Sequence, residues 1–308
     1  MEPGQDSQNS SDSPFGQPIA FTLTPPDDAS LPVLIAAPHG GRAYPPEVME
    51  NFRSPEARLR LEDRYVDVLA QEVARLTGAA LLTAHTPRAV IDLNRAPDDV
   101  DWSMIRSAKQ GPRRHSLANR RARSGLGLVP RRLSGLGELW RHPITQAELD
   151  ARIERVHRPY HQALGDALER VRDRWGAALL LDLHSMPPLH RRHEGEAVAE
   201  FVLGDRFGAS CDGRLAAAAL AHLGDEGRVV AHNRPYSGGY VLDRHAAPRR
   251  SIHAMQVEVC RSVYLDGRLA EPGARLPAIA RLLARMVQRL SRELADMGSH
   301  GDMLQAAE

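Results

Sequence analysis

The chain has 308 residues, and its 40 lysines and arginines nearly balance 39 aspartates and glutamates. This balance gives no indication of a nucleic-acid partner, and 42% hydrophobic with 26% charged residues is typical of a soluble globular protein. Lys109 is the single lysine, which argues against Schiff-base catalysis, pyridoxal phosphate anchoring and P-loop phosphate binding. Two cysteines are too few for a disulfide framework or a thiolate zinc cluster, so a metal would need His and carboxylate ligands.

The chain is predicted to contain one folded domain between two short flexible ends. Residues 1–28 are polar and lack a basic start followed by an apolar run, so they predict a disordered lead and not a signal peptide. The sequence contains no run of eighteen apolar residues and so predicts no membrane span, which favours a cytoplasmic protein. No linker divides 29–297, and 298–308 is predicted to be a flexible tail.

Hydrophobic patterns alternate between strands and helices along the domain. Short apolar runs predict strands over 33–37, 79–83, 89–93, 177–185, 198–203 and 253–259. Amphipathic spacing predicts helices over 55–76, 145–175, 212–223 and 275–296. Thr145 and Glu148 form a capping box at the start of the second helix, and Pro159 is expected to kink it. The order of elements predicts a single α/β domain with a mostly parallel mixed sheet flanked by helices.

The segment 106–141 interrupts this pattern. It holds ten basic residues against one acidic residue, Glu138, and two SGLG sequences, which predict a long loop or lid. A basic segment raises the alternative of a nucleic-acid-binding protein. Trp140 is its one aromatic residue, so the stacking platform expected for single strands is missing. We therefore expect a small-molecule enzyme, with no nucleic-acid or membrane partner.

Polar side chains follow three of the predicted strands. His39 ends the first, Asn94 and Arg95 end the third, and His184 ends the apolar central strand. Reactive groups of α/β sheets collect at the carboxyl ends of the strands. The two histidines therefore predict either a metal site or ordinary loop hydrogen bonds, with equal weight.

A metal site at this edge would need a carboxylate. Asp63 lies on the apolar stripe of the predicted 55–76 helix, and Asp67 lies one turn further on. Because an unpaired buried charge is costly, these acids either pair with arginines such as Arg64 and Arg88 or complete a His/carboxylate/His zinc site.

The last predicted strand has one polar face. Gln256, Glu258 and Cys260 alternate with Val257 and Val259. This face either meets solvent at a sheet edge or projects Glu258 into a site, where it can serve as general base and general acid.

A cysteine amidase is a further alternative. Cys260 would be its nucleophile and His184 or His253 its base. It is the weaker hypothesis, because nothing in the sequence around Cys260 would lower the thiol pKa. Cys211, in GASCDG, is expected to cap or pack near a helix start.

The motifs taken together resemble those of the N-formylglutamate amidohydrolases. Seven motifs occur in the family order between about residues 30 and 265. They are PHGG, ED with a second aspartate four residues after Asp63, RAVIDLNR, LLLDLHS, GASCDG, NRPYSGGY and HAMQVEV. The resemblance implies a phosphorylase/hydrolase-like core related to zinc carboxypeptidases. It also implies zinc-dependent cleavage of N-formyl-L-glutamate to formate and L-glutamate, as part of amino-acid degradation. A family member that cleaves a different N-acyl amino acid is the alternative, because no feature of the sequence excludes it.

The resemblance also implies roles for individual residues. The implied metal ligands are His39, His184 and either Asp63 or Asp67. The implied catalytic residues are Glu258 and the carbonyl-polarising Arg88. The implied substrate-binding residues are Asn94, Arg95, Ser237, Gly238 and Gly239.

The sequence departs from the carboxypeptidase pattern at one position. Carboxypeptidases carry an acid three residues after the first histidine, where this chain has Arg42, so the acidic ligand must come from elsewhere, from Asp63 or Asp67. The 237–239 stretch is also compatible with an ordinary turn. A second substrate carboxylate would meet the 106–141 segment or Arg234 and Arg249.

Overall fold

The computed structural model describes residues 19–106, 120–191, 193–195 and 197–305. The strands are β1 (Phe21–Leu23), β2 (Val33–Ala37), β3 (Ala80–Ala84), β4 (Ile105–Arg106), β5 (Arg132–Leu133), β6 (Gly137–Glu138), β7 (Ile144–Thr145), β8 (Ala178–Met186), β9 (Phe201–Gly204), β10 (Val230–His232) and β11 (Ile252–Cys260). The helices are α1 (Pro46–Asn51), α2 (Ala57–Leu61), α3 (Val66–Thr77), α4 (Arg120–Arg123), α5 (Gln146–Arg152), α6 (Arg158–Trp175), α7 (Gly213–Asp225), α8 (Tyr240–His245) and α9 (Leu276–Gln305).

The predicted single α/β domain with a mostly parallel mixed sheet is confirmed. Seven strands form one sheet in the order β1-β3-β2-β8-β11-β9-β10. The four strands β3, β2, β8 and β11 are parallel, whereas β1 and β9 run antiparallel to their neighbours β3 and β11. Every residue of β8 and β11 is buried, as expected for strands covered on both faces. The carboxyl ends of β2, β8 and β11 therefore meet at one edge of the sheet.

Helices cover both faces of the sheet. Alternate strand residues such as Ile35 and Leu181 pack with α3, α7 and α9. The residues between them, such as Leu34 and Leu180, pack with α6 and α8. Side chains of a strand alternate between its faces, so Asp182 shares the α6 face with Leu180. None of the helices in the described part of the chain is long and apolar enough to cross a membrane.

The predicted helix over 55–76 is broken into α2 and α3. Glu62 is extended and Tyr65 adopts a left-handed conformation with φ of 55°. One local and one long-range bond stabilise the break: Arg64 donates to the Glu62 carboxylate at 2.6 Å and to the Ala270 carbonyl at 2.7 Å. These bonds override the helical spacing of the apolar residues. Asp63 therefore lies in the break and not on a helix stripe.

The predicted strand over 89–93 is also wrong. The segment forms a buried turn in which the Val90 amide donates to the Pro87 carbonyl at 2.9 Å and the Asp92 amide donates to the Leu128 carbonyl at 2.7 Å. Ile91 packs in a separate apolar cluster with residues of α1, α2, β7 and α5. The apolar run is thus explained by burial without a strand ladder.

The basic segment is partly folded. Residues 107–119 lie outside the described residues, but 120–141 includes α4 and the β5–β6 hairpin. Leu128, Leu139 and Trp140 are buried in the same separate cluster, where Trp140 stacks on Phe52 with ring centroids 4.6 Å apart. The described part of the predicted loop or lid is therefore packed against the domain.

The remaining differences concern element ends. Residues 21–23 form β1 and Pro26–Asp28 form a 3-10 turn, which corrects the last part of the predicted disordered lead; residues 1–18 lie outside the described residues. The helix α9 extends to Gln305, into the predicted tail.

The predicted capping box of Thr145 and Glu148 is present at the start of α5. A π-helical turn at Ile153–His157 separates α5 from α6, just before Pro159, which has no N–H to bond the carbonyl four residues earlier.

Candidate active site

Three buried side chains meet at the carboxyl edge of the sheet. His39 follows β2, His184 lies near the end of β8, and Asp63 lies in the break between α2 and α3. The Asp63 Oδ2 atom is 3.1 Å from His184 Nδ1 and 3.6 Å from His39 Nδ1. One possible ligand atom from each residue lies within 4.8 Å of the other two. The group is therefore compact enough for one metal ion to contact all three side chains.

A second carboxylate lies behind each histidine. His39 Nε2 is 2.7 Å from Asp92 Oδ1, and His184 Nε2 is 2.9 Å from Asp182 Oδ2. Because a carboxylate only accepts hydrogen bonds, each Nε2 carries a proton. Both Nδ1 atoms face Asp63, where a metal cation would bind their lone pairs in place of a proton. His39 Nδ1 is buried, and none of the described residues forms a hydrogen bond with it. This donor set, with both imidazoles oriented by carboxylates, fits a zinc site.

The charges around His184 reinforce this interpretation. Burial lowers the pKa of His184, but the charges and hydrogen bonds of Asp182 and Asp63 raise it well above its usual value. Burial raises the pKa of Asp63, but the hydrogen bond from His184 and the neighbouring His39 imidazole hold it well below its usual range. The site thus strongly favours positive charge beside Asp63. A proton and a metal cation would compete for the same imidazole lone pair.

Asp67, the other candidate ligand, does not join this group. Its two carboxylate oxygens accept hydrogen bonds from the Arg42 guanidinium at 2.5 and 2.8 Å. Arg42, which stands where the carboxypeptidase pattern has an acid, is therefore the ion-pair partner of Asp67. The PHGG motif permits this arrangement, because a Cβ atom on Gly40 would lie 2.6 Å from the Asp67 Cβ.

The DLNR turn brings Asn94 and Arg95 to the same edge. Asn94 Oδ1 accepts from the Val241 amide at 2.9 Å, and its Nδ2 donates to Gln256 Oε1 at 3.4 Å. Arg95 donates through Nε to the Leu126 carbonyl at 2.9 Å and through Nη1 to the Asn94 carbonyl at 2.8 Å. The turn is therefore fixed by its own side chains, as well as presenting them to the site.

Glu258 projects into the site and not into solvent. Strand β11 lies between β8 and β9, so the sheet-edge interpretation of its polar face is wrong. Gln256 Nε2 donates to Glu258 Oε1 at 2.8 Å. Burial raises the pKa of Glu258 to about 7, although the positive charge of His184 opposes the shift. A carboxyl group with such a pKa can both accept and donate a proton near neutral pH.

Cys260 does not share the surroundings of Glu258. It packs in the apolar cluster that contains Val257 and Val259, and its Sγ is 3.0 Å from Ser262 Oγ. Cys260, the last residue of β11, therefore has apolar neighbours, whereas Glu258 has polar ones. Cys260 is not among the described residues that line the cleft over the site. Cys211 is buried two residues before α7, whose N-cap is Asp212.

A cleft of about 730 Å³ opens over these residues. The sequence-predicted residues that line it are His39, Asp63, Arg88, Asn94, Arg95, His184, Ser237, Gly238, Gly239 and Glu258. Arg88 donates through Nε to Asp92 Oδ2 at 2.8 Å. A Cβ atom on Gly239 would lie 2.5 Å from Asn94 Oδ1, so the 237–239 loop requires glycine to approach the turn.

The cleft also contains residues that the sequence reasoning missed. Arg60, Arg206 and Arg261 line it, and Arg261 Nη2 lies 3.5 Å from Asp63 Oδ1. Arg121, which also lines it, belongs to the 106–141 segment that was expected to meet a substrate carboxylate. The sequence did contain a signal for Asp182, which bonds His184 from behind. It is a charged residue two positions before His184, on the same face of an otherwise apolar strand. The arginines gave no such signal in a chain this rich in arginine. Arg234 and Arg249 are not among the described residues of the cleft.

Comparisons with known proteins agree with the motifs. The family model for N-formylglutamate amidohydrolase matches residues 31–265. An N-formylglutamate deformylase of Pseudomonas aeruginosa is 30% identical over 241 residues, which cover 77% of this chain and 83% of the relative. That of Pseudomonas putida is 33% identical over 240 residues, covering 77% and 82%. The crystal structure of an N-formylglutamate amidohydrolase from Ralstonia eutropha has a TM-score of 0.75 and 32% identity, covering 89% of this chain and 98% of its own. This chain belongs to the N-formylglutamate amidohydrolase family.

Proposed function

We propose that this protein is a zinc-dependent amidohydrolase that cleaves N-formyl-L-glutamate to formate and L-glutamate. The observation that carries the proposal is the convergence of His39 Nδ1, His184 Nδ1 and Asp63 Oδ2 in a cleft, with a carboxylate behind each imidazole. The names of the two Pseudomonas relatives support the substrate. The proposal includes a phosphorylase/hydrolase-like core like that of the zinc carboxypeptidases. The mostly parallel sheet, with histidines at the ends of its strands, is compatible with such a core.

His39, His184 and Asp63 would hold the metal. A bound divalent cation supplies Lewis-acid polarisation of the amide carbonyl and activation of water. Asp92 and Asp182 fix the imidazole tautomers so that both Nδ1 atoms face Asp63. Arg261, beside Asp63 Oδ1, leaves the Oδ2 atom facing the histidines.

Glu258 carries the proton in this mechanism. Its carboxylate accepts a proton from the attacking water and then delivers it to the nitrogen of the leaving amino acid. Burial raises the pKa of this carboxyl to about 7 in the metal-free protein, and a bound cation would lower it toward the ionised form that accepts the proton. The hydrogen bond from Gln256 Nε2 holds one carboxylate oxygen, so the carboxylate keeps one orientation during both transfers. Arg88, in the same cleft, is suited to polarise the substrate carbonyl.

The remaining polar groups suit a substrate with two carboxylates. Asn94 and Arg95 would bind the α-carboxylate by charge-assisted hydrogen bonds, and the 237–239 loop brings backbone groups close to it. Arg60, Arg121 and Arg206 line the same cleft and would meet the side-chain carboxylate of glutamate. Of these, Arg121 belongs to the basic 106–141 segment.

The test combines metal analysis with a substrate screen. The purified protein should hold about one zinc per chain and release formate and glutamate from N-formylglutamate. N-acetylglutamate, N-formylaspartate and N-formylglutamine serve as matched controls for the acyl group, the chain length and the second charge. If the protein cleaves one of these compounds faster than N-formylglutamate, that compound would be assigned as the substrate instead. Full activity after complete chelation of metal would contradict zinc dependence.

A further inference from the structure

The buried histidines behind the DLNR turn have contacts that the proposed chemistry does not use. His157 Nε2 is 2.9 Å from the Arg95 carbonyl, and His161 Nε2 is 2.9 Å from the Leu93 carbonyl. Both histidines are 2% exposed. Their acceptors are the two carbonyl groups that flank Asn94. A carbonyl oxygen accepts only, so both Nε2 atoms carry protons and donate.

The position of these donors depends on the irregular start of α6. The π-helical turn Ile153–His157 ends at His157, and His161 lies four residues later. Residues four apart share one face of a helix, and the two imidazole centroids are 4.4 Å apart. Single π-helical turns inside helices occur frequently at functional sites. Here the turn and the first turn of α6 present two donors to one peptide segment.

A third histidine connects this pair to α8. His245 Nε2 is 2.9 Å from His161 Nδ1, and the two ring planes are 14° apart with their centroids separated by 5.2 Å. Since His161 Nε2 already carries a proton, Nδ1 accepts from His245 in the neutral ring. His245 belongs to α8, which follows the 237–239 loop directly and whose Val241 amide donates to Asn94 Oδ1. The DLNR turn is therefore held between α6 and α8.

We propose that His157 and His161 are positioning residues that hold the Leu93–Arg95 segment, so that Asn94 and Arg95 face the substrate. The substrate part of this inference rests on the proposed function. The turn has no strand ladder to hold it, and a buried carbonyl left without a donor would be costly. A leucine at either position would fill similar space but donate no hydrogen bond. The histidines thus supply bonds that a sheet neighbour would otherwise supply.

The experiment compares His161→Leu and His161→Gln with the parent chain. Amide hydrogen exchange over residues 88–97 reports the turn directly, and KM for N-formylglutamate reports substrate positioning. We expect His161→Leu to speed exchange in this segment and to raise KM about tenfold, the loss of about 1.4 kcal/mol expected for one buried hydrogen bond. His161→Gln, whose amide nitrogen can replace Nε2, should recover part of both effects. Zinc content should be unchanged in both variants.

His222→Leu is the matched control. His222 is a buried histidine of α7 whose Nε2 lies 3.1 Å from the Leu282 carbonyl, on the opposite face of the sheet. It should change stability without changing exchange over 88–97 or KM. If His161→Leu does not fold, His157→Leu tests the other donor in the same way.

The outcomes separate this inference from the proposed function. Unchanged exchange over 88–97 in the folded leucine variants overturns the inference. Faster exchange with an unchanged KM overturns the substrate part, and the histidines then only stabilise the turn. If the parent chain neither binds zinc nor cleaves any N-formyl amino acid, the proposed function fails, and the exchange data alone decide whether the histidines hold the turn.

Discussion

The imidazole of His39 and the carboxylate of Asp92 form a buried pair, with 2.7 Å between Nε2 and Oδ1. Asp92 is fully buried, and its other oxygen accepts from Arg88 Nε at 2.8 Å. Burial raises the pKa of Asp92, but the charges of Arg88 and His39 hold it well below its usual range. Asp92 is therefore an ionised acceptor, and His39 Nδ1 is left free to bind a cation.

Removing the charge of Asp92 should weaken zinc binding without removing a ligand. In Asp92→Asn the amide oxygen can still accept from His39, but the amide group no longer raises the basicity of the imidazole. The expected loss of zinc affinity is about 10-fold to 100-fold, the usual effect of an outer partner of a metal-binding histidine. Competition with a chromophoric chelator measures it.

Asp63→Asn should reduce zinc affinity further, because it removes a charged ligand. Asp67→Asn is the matched control: its carboxylate pairs with Arg42 outside the group, so it should bind zinc like the parent. The reverse ranking, with Asp67→Asn losing the metal and Asp63→Asn retaining it, would move the site to Asp67.

The sequence predicted the edge of the sheet better than the turns that complete the site. His39 and His184 follow apolar runs whose strand character depends on local residue types, so their positions were predictable. Asp63 was misplaced because contacts with Ala270, more than 200 residues away along the chain, break the helix around it. Asn94 was assigned to a strand end, whereas the 89–93 run is apolar because it fills a separate cluster. Long-range contacts of this kind leave no periodic signal.

Glu258→Gln should abolish most of the activity while zinc stays bound. Glutamine has the same shape as glutamate and can still accept the hydrogen bond from Gln256, but it cannot take up a proton. The value of kcat should therefore fall about 100-fold to 10,000-fold, the usual contribution of a positioned acid-base group. Cys260→Ser is the control and should retain most of the activity, since Cys260 is not among the described residues of the cleft. An active Glu258→Gln protein with an inactive Cys260→Ser protein would favour the cysteine mechanism.

Arg121 should contribute to recognition of the second carboxylate. It is exposed at the cleft, and an exposed ion pair contributes up to about 1 kcal/mol, so Arg121→Ala should lower the preference for N-formylglutamate over N-formylglutamine by up to about fivefold. The preference should also weaken as salt is added. Arg249→Ala, another exposed arginine that is not among the described cleft residues, should leave the ratio unchanged. Equal ratios in the parent and Arg121→Ala would assign the second carboxylate to other groups.

The buried, hydrogen-bonded histidines His161 and His245 should make the protein sensitive to acid. Burial lowers the pKa of His161 to about 2 and that of His245 to about 3. The positive charge of Arg244 also opposes protonation of both rings, and the neighbouring His157 opposes that of His161. Both histidines therefore stay neutral in the folded chain at pH values where they are protonated in the unfolded chain.

The sign of the effect follows from this difference in bound protons. As the pH falls below about 6.5, the unfolded chain takes up a proton on His161 and the folded chain does not, so the free energy of unfolding falls. At pH 5 this loss is about 2 kcal/mol for His161 alone. Urea unfolding of the parent chain and of His161→Gln at pH 7.5 and pH 5 measures it. The parent should lose about 2 kcal/mol more than the glutamine variant, and His142→Gln, at an exposed histidine, should behave like the parent. An equal loss in the parent and in His161→Gln would show that the acid sensitivity comes from other groups.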